Sequence, residues 1–289
     1  MSAHYPRSAM PDTEGVTHHF ASVNGVHVHW AEAGSGDPVV LLHGWPQHWW
    51  SWRHLIAPLA EHYRVICPDI RGMGWSEAPA GGYSVWDLTA DLLALLDHLG
   101  LDGGVRLAGH DWGSLAAYQA ALDQPERFDR LVPMGGVHLW SAVGSRRTIY
   151  ARPWHLPLFA GPGGRLLAER TGFIRWIVDY WSARPFDDDV ADVYVKPAMR
   201  PGSANAVHLR DRSVITREIP HYLRTAPDLR LKVPTLHLNG DHDPLARDVP
   251  DSYRKFADDM RLELVPDAGH FIADENPRWV ADRLLTFLR

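Results

Sequence analysis

Asp111 stands at the centre of the sequence G-H-D-W-G, residues 109–113, between a strand-like apolar run and a helix-like run. A glycine-flanked turn of this kind can hold a nucleophilic side chain out at the top of a sheet, and that side chain is usually a serine. The alternative interpretation is an acid at a helix N-terminus, where the helix dipole stabilises its charge. The flanking glycines, Gly109 and Gly113, favour the nucleophile.

An aspartate in this place indicates displacement at a saturated carbon. A serine that attacked such a carbon would leave an alkyl ether, which water cannot easily release, whereas a carboxylate leaves an ester. Water activated by a histidine can then attack the carbonyl of the aspartate, provided that hydrogen-bond donors stabilise the tetrahedral intermediate.

Two later stretches supply candidates for the acid and the histidine of this second step. LNGDHDPLA, residues 238–246, contains Asp241 and Asp243, and VPDAGHFIADENP contains His270. Each stretch follows a predicted strand, and the order nucleophile, acid, histidine is that of a hydrolase triad on an α/β sheet. The spacing alone does not separate Asp241 from Asp243 as the acid.

The sequence LLHGWPQ, residues 41–47, supplies a candidate oxyanion hole. A strand that ends in His-Gly-Trp-Pro can direct the backbone N–H of Trp45 at the reacting centre, together with the N–H of Trp112. The alternative interpretation is an ordinary turn after a strand.

Strand-like runs alternate with helical ones along most of the chain, which predicts an α/β fold with a mostly parallel central sheet and helices on both faces. The predicted strands are residues 18–23, 26–33, 38–44, 62–70, 105–110, 127–136, 233–240 and 261–270. Residues 26–33 alternate polar and apolar side chains, as a half-exposed strand does. Helices are predicted over residues 84–100, 114–124 and 276–288.

Residues 137–226 break this rhythm with helical pieces, several prolines and glycines, and no convincing strand. We therefore expect a helical lid, or cap, inserted into a core formed by residues 16–136 and 227–289. Such lids commonly control substrate access. Residues 1–15 are expected to form a flexible N-terminal tail.

Composition excludes several classes of function. The chain has 289 residues with a net charge of −6, and its basic residues are scattered, so neither nucleic acid nor an anionic membrane is an expected partner. No signal peptide or membrane span is evident, and the single cysteine, Cys67, favours a cytoplasmic location. The histidine pairs lack further ligands at metal-site spacing, so no zinc site and no cofactor are expected.

The sequence resembles the α/β-hydrolase superfamily, specifically its epoxide hydrolase branch and, more distantly, the haloalkane dehalogenases. The resemblance lies in HGWPQHWWSW, PDIRGMGWSEAP, GHDWG, LNGDHDP and DAGHF, and it covers nearly the whole chain after the tail. It implies hydrolysis of an epoxide to a vicinal diol through an ester on Asp111, with His270 as the base. It also implies that Asp243, directly before a proline, is the acid, and that the Trp45–Pro46 peptide is cis.

The resemblance further implies two lid tyrosines that donate to the epoxide oxygen. RTIYARPWHLP is similar to the first lid segment, which makes Tyr150 a catalytic candidate, although it could be an ordinary lid tyrosine. The second segment is similar to residues 201–220, where its Tyr-Arg pair falls on Asp211–Arg212. An aspartate can donate only when protonated, which requires burial and a strongly raised pKa. Two options stay open: the second lid tyrosine is replaced by Tyr222, His208 or His155, or Tyr150 acts alone.

Two other functions are weighed against this one. A haloalkane dehalogenase needs two donors for the halide, for which Trp112 and a lid tryptophan (Trp154, Trp176 or Trp181) are available, although Trp45 stands where an asparagine is usual. Fluoroacetate-type dehalogenation needs an arginine beside the nucleophile. Trp112 occupies that position, so this reaction is not expected. A hydrolase fold kept as a non-catalytic binding protein is the third interpretation.

The chain contains 13 tryptophans, most of which we expect to pack in the core. A few could line an apolar cavity, so the expected substrate is a small apolar or aryl-bearing epoxide. Trp154 and Tyr222 are the predicted substrate-binding residues. The oligomeric state is open, with a homodimer as one option.

Overall fold

A computed structural model describes residues 9–136, 154–170, 172–245 and 256–289, and these form one eight-stranded sheet. In chain order the strands are β1 (Thr17–Val23), β2 (Val26–Gly34), β3 (Pro38–Leu42), β4 (Arg64–Pro68), β5 (Val105–His110), β6 (Phe128–Met134), β7 (Thr235–Gly240) and β8 (Met260–Val265). Their spatial order is β1-β2-β4-β3-β5-β6-β7-β8. β2 pairs antiparallel with β1 and β4, and the other neighbours are parallel. The predicted α/β-hydrolase fold with a mostly parallel sheet is confirmed.

Helices follow most of the parallel strands and make up much of the described part of the interval between β6 and β7. They are α1 (Arg53–Ala60), α2 (Val85–His98), α3 (Trp112–Asp123), α4 (Leu156–Ala160), α5 (Gly164–Arg170), α6 (Phe173–Trp181), α7 (Asp188–Ala198), α8 (Pro201–Ser213), α9 (Ile219–Thr225), α10 (Ile272–Glu275) and α11 (Pro277–Phe287). A π-helical turn, Val214–Glu218, joins α8 to α9. We call α4 to α9 the cap helices.

β3 shows why helices cover both faces of the sheet. Its side chains are all apolar and alternate between the faces, as in any strand. Val40 and Leu42 pack in the cluster that contains residues of α2 and α3. Val39 and Leu41 pack in the opposite cluster, with residues of α1 and α11. Strands buried on both faces therefore read as continuous apolar runs.

The loop after β4 is fixed by a buried carboxylate, Asp69. It accepts hydrogen bonds from the backbone N–H groups of Trp49 and Trp75, both at 2.8 Å, and from Nδ1 of His29 at 2.7 Å. His29 lies on β2 and is fully buried. The expectation that β2 is half exposed is therefore wrong at this position, because the histidine turns inward to reach Asp69.

Several predictions fall wholly or partly outside the described residues. Tyr150 lies outside the described residues, as do residues 1–8 of the predicted tail and residues 137–153 of the predicted cap. Within the described part of the chain, no helix has both the length and the apolar character that a membrane crossing requires. The domain boundaries stay a prediction.

Candidate active site

The turn between β5 and α3 forces Asp111 into an uncommon backbone conformation. Its φ of 48° and ψ of −113° are rare for a residue with a side chain. The turn also brings α3 very close to the sheet: a Cβ atom on Gly113 would lie 2.3 Å from the carbonyl oxygen of Leu42. One on Gly109 would lie 2.4 Å from the carbonyl oxygen of Gly113. Both flanking glycines are thus required by close backbone approach.

Two backbone N–H groups hold the Asp111 carboxylate. The Trp45 N–H donates to Oδ2 at 3.0 Å, and the Trp112 N–H also bonds to the carboxylate. The Trp45–Pro46 peptide is cis, as the resemblance implied. Burial raises the pKa of Asp111, although the charge of His270 and these two N–H groups act in the opposite direction. The predicted oxyanion-hole donors therefore lie at the predicted nucleophile.

The structure distinguishes the two candidate acids. Nδ1 of His270 donates to Oδ2 of Asp243 at 3.0 Å, and Asp243 is fully buried. Its other oxygen, Oδ1, accepts from the backbone N–H of Leu245 at 2.7 Å. Asp241 points elsewhere, with Oδ1 accepting from Nδ1 of His242 at 2.6 Å. Asp243 is therefore the carboxylate that orients His270.

His270 lies between the two carboxylates. Its Nε2 atom is 3.9 Å from Oδ1 of Asp111, on the side opposite the Asp243 contact. Burial alone lowers the pKa of His270, but the charge and hydrogen bond of Asp243, followed by the charges of Asp111 and Glu275, outweigh it, and the pKa is raised. The ring is thus placed to take a proton from a molecule bound near Asp111.

Aromatic rings form the cap-side wall of this site. The Trp181 ring lies 5.6 Å from the His270 ring. The backbone carbonyl of Trp181 also accepts a hydrogen bond from the backbone N–H of His270 at 2.8 Å. The His155 ring lies 5.7 Å from Trp181 and 6.5 Å from Trp45, which also contacts Phe159. Burial, and then the charge of His270, lower the pKa of His155 to about 4. This wall is therefore uncharged and mostly apolar at neutral pH.

Trp154 and Tyr222, the predicted substrate-binding residues, lie in different surroundings. Trp154 is half-buried, and its ring packs against those of Trp176 and Tyr180, which are about half exposed. Tyr222 is buried, and its hydroxyl donates to the side-chain oxygen of Gln119 on α3. Their roles in binding stay predictions.

Asp211 lies on α8 and is 1% exposed, and its Oδ2 atom has no hydrogen-bond partner. The preceding residue, Arg210, is fully buried and pairs with Glu218 at 2.7 Å. Burial is the main cause that raises the pKa of Asp211 well above its ordinary value, aided by the charges of Asp111 and Glu218 and opposed by that of Arg210. Arg210 and Glu218 were not among the residues predicted from the sequence.

Comparisons with known proteins identify the family of this chain and several similar proteins. A family described as the alpha/beta hydrolase fold matches residues 37–277. The soluble epoxide hydrolase of Corynebacterium sp. (strain C12) is 32% identical over 282 residues, which cover 94% of this chain and 97% of that protein. Epoxide hydrolase 2 of Siraitia grosvenorii is 43% identical over 122 residues, 41% of this chain and 38% of that protein. The solved structure of the epoxide hydrolase CorEH superposes with a TM-score of 0.82 at 29% identity, covering 94% of this chain and 98% of CorEH.

Proposed function

Because the chain belongs to the α/β-hydrolase fold family, within its epoxide hydrolase branch, we propose that it hydrolyses an epoxide to a vicinal diol through an ester on Asp111. One observation carries the proposal: the Trp45 N–H donates to one oxygen of the Asp111 carboxylate, and His270 faces the other oxygen. That arrangement supports attack by the carboxylate, followed by hydrolysis of the resulting ester.

In the first step Oδ1 of Asp111 attacks an epoxide carbon. Oδ2 is held by the Trp45 N–H, so Oδ1 is the oxygen available for attack. The new C–O ester bond forms as the C–O bond of the epoxide breaks. The epoxide oxygen takes the electron pair and needs a proton to become the first hydroxyl group of the product.

In the second step His270 takes a proton from water as the water oxygen attacks Cγ of Asp111. Negative charge develops on Oδ2, which accepts from the Trp45 N–H, and the Trp112 N–H next to the carboxylate adds to its stabilisation. The buried Asp243 stabilises the imidazolium form of His270. As the tetrahedral intermediate collapses, the bond between Cγ and Oδ1 breaks and the departing alkoxide takes the proton from His270 to complete the diol. The Asp111 carboxyl group then loses the second proton of the water and becomes a carboxylate again.

The aromatic wall supports a substrate class. Trp45, Phe159 and Trp181 present ring surface next to His270 and Asp111, which suits a small apolar or aryl-bearing epoxide. A cytoplasmic location stays part of the proposal, with a homodimer as one option for the oligomeric state.

Haloalkane dehalogenation is the second candidate, and one observation favours it. The indole Nε1 atoms of Trp45 and Trp181 are buried without a hydrogen-bond partner. Two such N–H groups could bind a departing halide ion. The reaction would use the same attack by Asp111 but a different leaving group.

A His270→Gln variant tests the proposal, because it should form the ester and hydrolyse it slowly. The variant is mixed with a panel of epoxides and bromoalkanes, and the intact protein mass and the adduct position are determined. An adduct on Asp111 with the whole mass of the epoxide supports the proposal. An alkyl adduct without bromine, formed only from bromoalkanes, supports the dehalogenase. The double variant with Asp111→Asn is the control and should form neither.

A further inference from the structure

Opening an epoxide creates an alkoxide, and the site needs an acid to protonate it. The groups nearest the nucleophile include His270, which the second step uses as a base, and backbone donors already bonded to Asp111. We infer that Asp211 is a further catalytic residue, which gives its proton to the epoxide oxygen as Asp111 attacks. This inference rests on the proposed function.

The position of α8 supports this role. The guanidinium carbon of Arg210 lies 5.9 Å from the centre of the Trp112 ring, and the Trp112 N–H is bonded to the Asp111 carboxylate. Asp211 follows Arg210 directly on α8, so this part of α8 lies beside the strand-to-helix turn that carries Asp111. Asp211 is buried, and Oδ2 is unpartnered, so a donor proton there is not already committed within the protein.

The buried arginine beside Asp211 is already neutralised by another carboxylate. Glu218 accepts through Oε1 from Nη1 of Arg210 at 2.7 Å, from Oγ of Ser213 at 2.9 Å and from the backbone N–H of Val85 at 3.1 Å. All three contacts are made by one oxygen of Glu218, so the buried Arg210 has a carboxylate partner other than Asp211. Asp211 receives no comparable hydrogen bond among the described contacts, so burial favours its neutral form.

The charges around Asp211 consequently favour a protonated resting state. The facing charged groups are Arg210, Asp111 and Glu218, and burial together with the two carboxylates raises the pKa of Asp211 against the effect of Arg210. Asp111 has two backbone donors and His270 beside it, whereas Asp211 has none of these. Of the two carboxyl groups, Asp211 is therefore the one that holds a proton while Asp111 is charged.

The reaction itself would release this proton. When Asp111 becomes an ester its negative charge disappears, and with it one cause of the raised pKa of Asp211. Asp211 therefore becomes more acidic as the epoxide oxygen becomes basic. The pair of carboxyl groups carries one negative charge before and after the step: first on Asp111, then on Asp211. Ester hydrolysis frees one proton per turnover as the Asp111 carboxylate reforms, and that proton restores Asp211.

Single-turnover alkylation in the His270→Gln background measures this step alone. Adding Asp211→Asn keeps the size of the side chain but removes the transferable proton. We expect adduct formation on Asp111 to slow by about 10²-fold or more. In the His270→Gln variant, the rate of adduct formation should also fall as pH rises through the pKa of Asp211. Adding Asp211→Asn should abolish that fall. Asp192 is an exposed residue of α7 that pairs with Lys196. Asp192→Asn is the matched control and should leave the rate unchanged.

The outcomes separate this inference from the proposed function. Equal adduct formation with and without Asp211→Asn would overturn the role of Asp211 and leave the ester mechanism standing. Absence of any epoxide adduct on His270→Gln would overturn the proposed function and the inference with it. A slower rate that keeps the same pH dependence would indicate a structural effect and would also reject the inference.

The protonation state can be observed without substrate. The infrared difference spectrum between the unchanged protein and Asp211→Asn at neutral pH should contain the C=O stretch of a protonated carboxyl group. A carboxylate band in its place would mean that Asp211 is ionised at rest, which contradicts its role as the acid.

Discussion

Nε2 of His270 lies 3.9 Å from Oδ1 of Asp111, which is too far for a direct hydrogen bond. The two groups therefore do not neutralise each other through a shared proton. Instead the free oxygen of the nucleophile and the free nitrogen of the base border the same small volume. A substrate carbon bound there can react with Oδ1, and a water molecule that follows can be activated by Nε2.

Asp243 and Asp241 should respond differently to the same substitution. Asp243→Asn leaves His270 without its charged partner, so we expect hydrolysis of the ester to slow by about 10³–10⁴-fold. Asp241 bonds to His242 and not to His270, so Asp241→Asn should change the rate less than about twofold. The decay of the Asp111 adduct, followed by mass after a pulse of substrate, measures both. Comparable slowing in the two variants would contradict the assignment of the acid.

The pKa of His270 should fall when the charge of Asp111 is removed. Burial lowers the pKa of His270, while Asp243 and then Asp111 raise it, so Asp111→Asn removes one of the raising causes. Titration of the His270 ring by NMR in the two proteins tests this. The neutral ring of His270 is the base in ester hydrolysis. The rate of ester hydrolysis should therefore rise with pH through the pKa that His270 has when Asp111 carries no charge, and then level off. An unchanged titration in Asp111→Asn would show that the two groups are not coupled.

Asp69 should contribute stability that acid removes. Burial alone raises its pKa, but the hydrogen bond from His29 and the charges of neighbouring histidines outweigh this and lower the pKa to about 2. A carboxylate with a lowered pKa stabilises the fold above its ordinary pKa, and this contribution is lost as pH falls from about 4 towards 2.

The variant Asp69→Asn tests this by urea unfolding at pH 6 and pH 3. At pH 6 we expect this variant to lower the free energy of unfolding by about 2–4 kcal/mol. The NH₂ group of the asparagine cannot accept a hydrogen bond, so at least one of the N–H donors to Asp69 loses its acceptor. The difference from the unchanged protein should shrink by about 1 kcal/mol at pH 3. Asp192→Asn provides the control, and an equal difference at both pH values would contradict the lowered pKa.

The sequence identifies residues that a local pattern places at a strand end. Asp111 follows β5 directly, whereas two residues separate Trp45 from the end of β3 and four separate His270 from the end of β8. Parallel strands bring the positions just beyond their ends to one edge of the sheet. Asp243 could be separated from Asp241 only through the resemblance, because the choice depends on which side chain of one turn faces His270. That direction is set by tertiary packing.

Two features depended on contacts that no local pattern contains. The raised pKa of Asp211 is caused by burial and by the charges of Asp111, directly before α3, and Glu218, on the turn after α8, against the effect of Arg210. Asp111 and Glu218 lie far apart in the sequence. Helix α1 was not predicted, because Pro58 interrupts its pattern, yet it forms with Leu55, Ile56 and Leu59 buried against the sheet. In both cases packing against distant segments decides the outcome.

The origin of the oxygen in the diol tests the central claim most directly. Enzyme in excess over an epoxide is allowed one turnover in ¹⁸O-labelled water, and both the diol and the peptide that contains Asp111 are analysed by mass. The ester mechanism predicts an unlabelled diol and one ¹⁸O atom on Asp111, because water attacks the carboxyl carbon. A labelled diol with an unlabelled Asp111 would mean that water attacks the epoxide itself, and the account of Asp111 as nucleophile would be wrong.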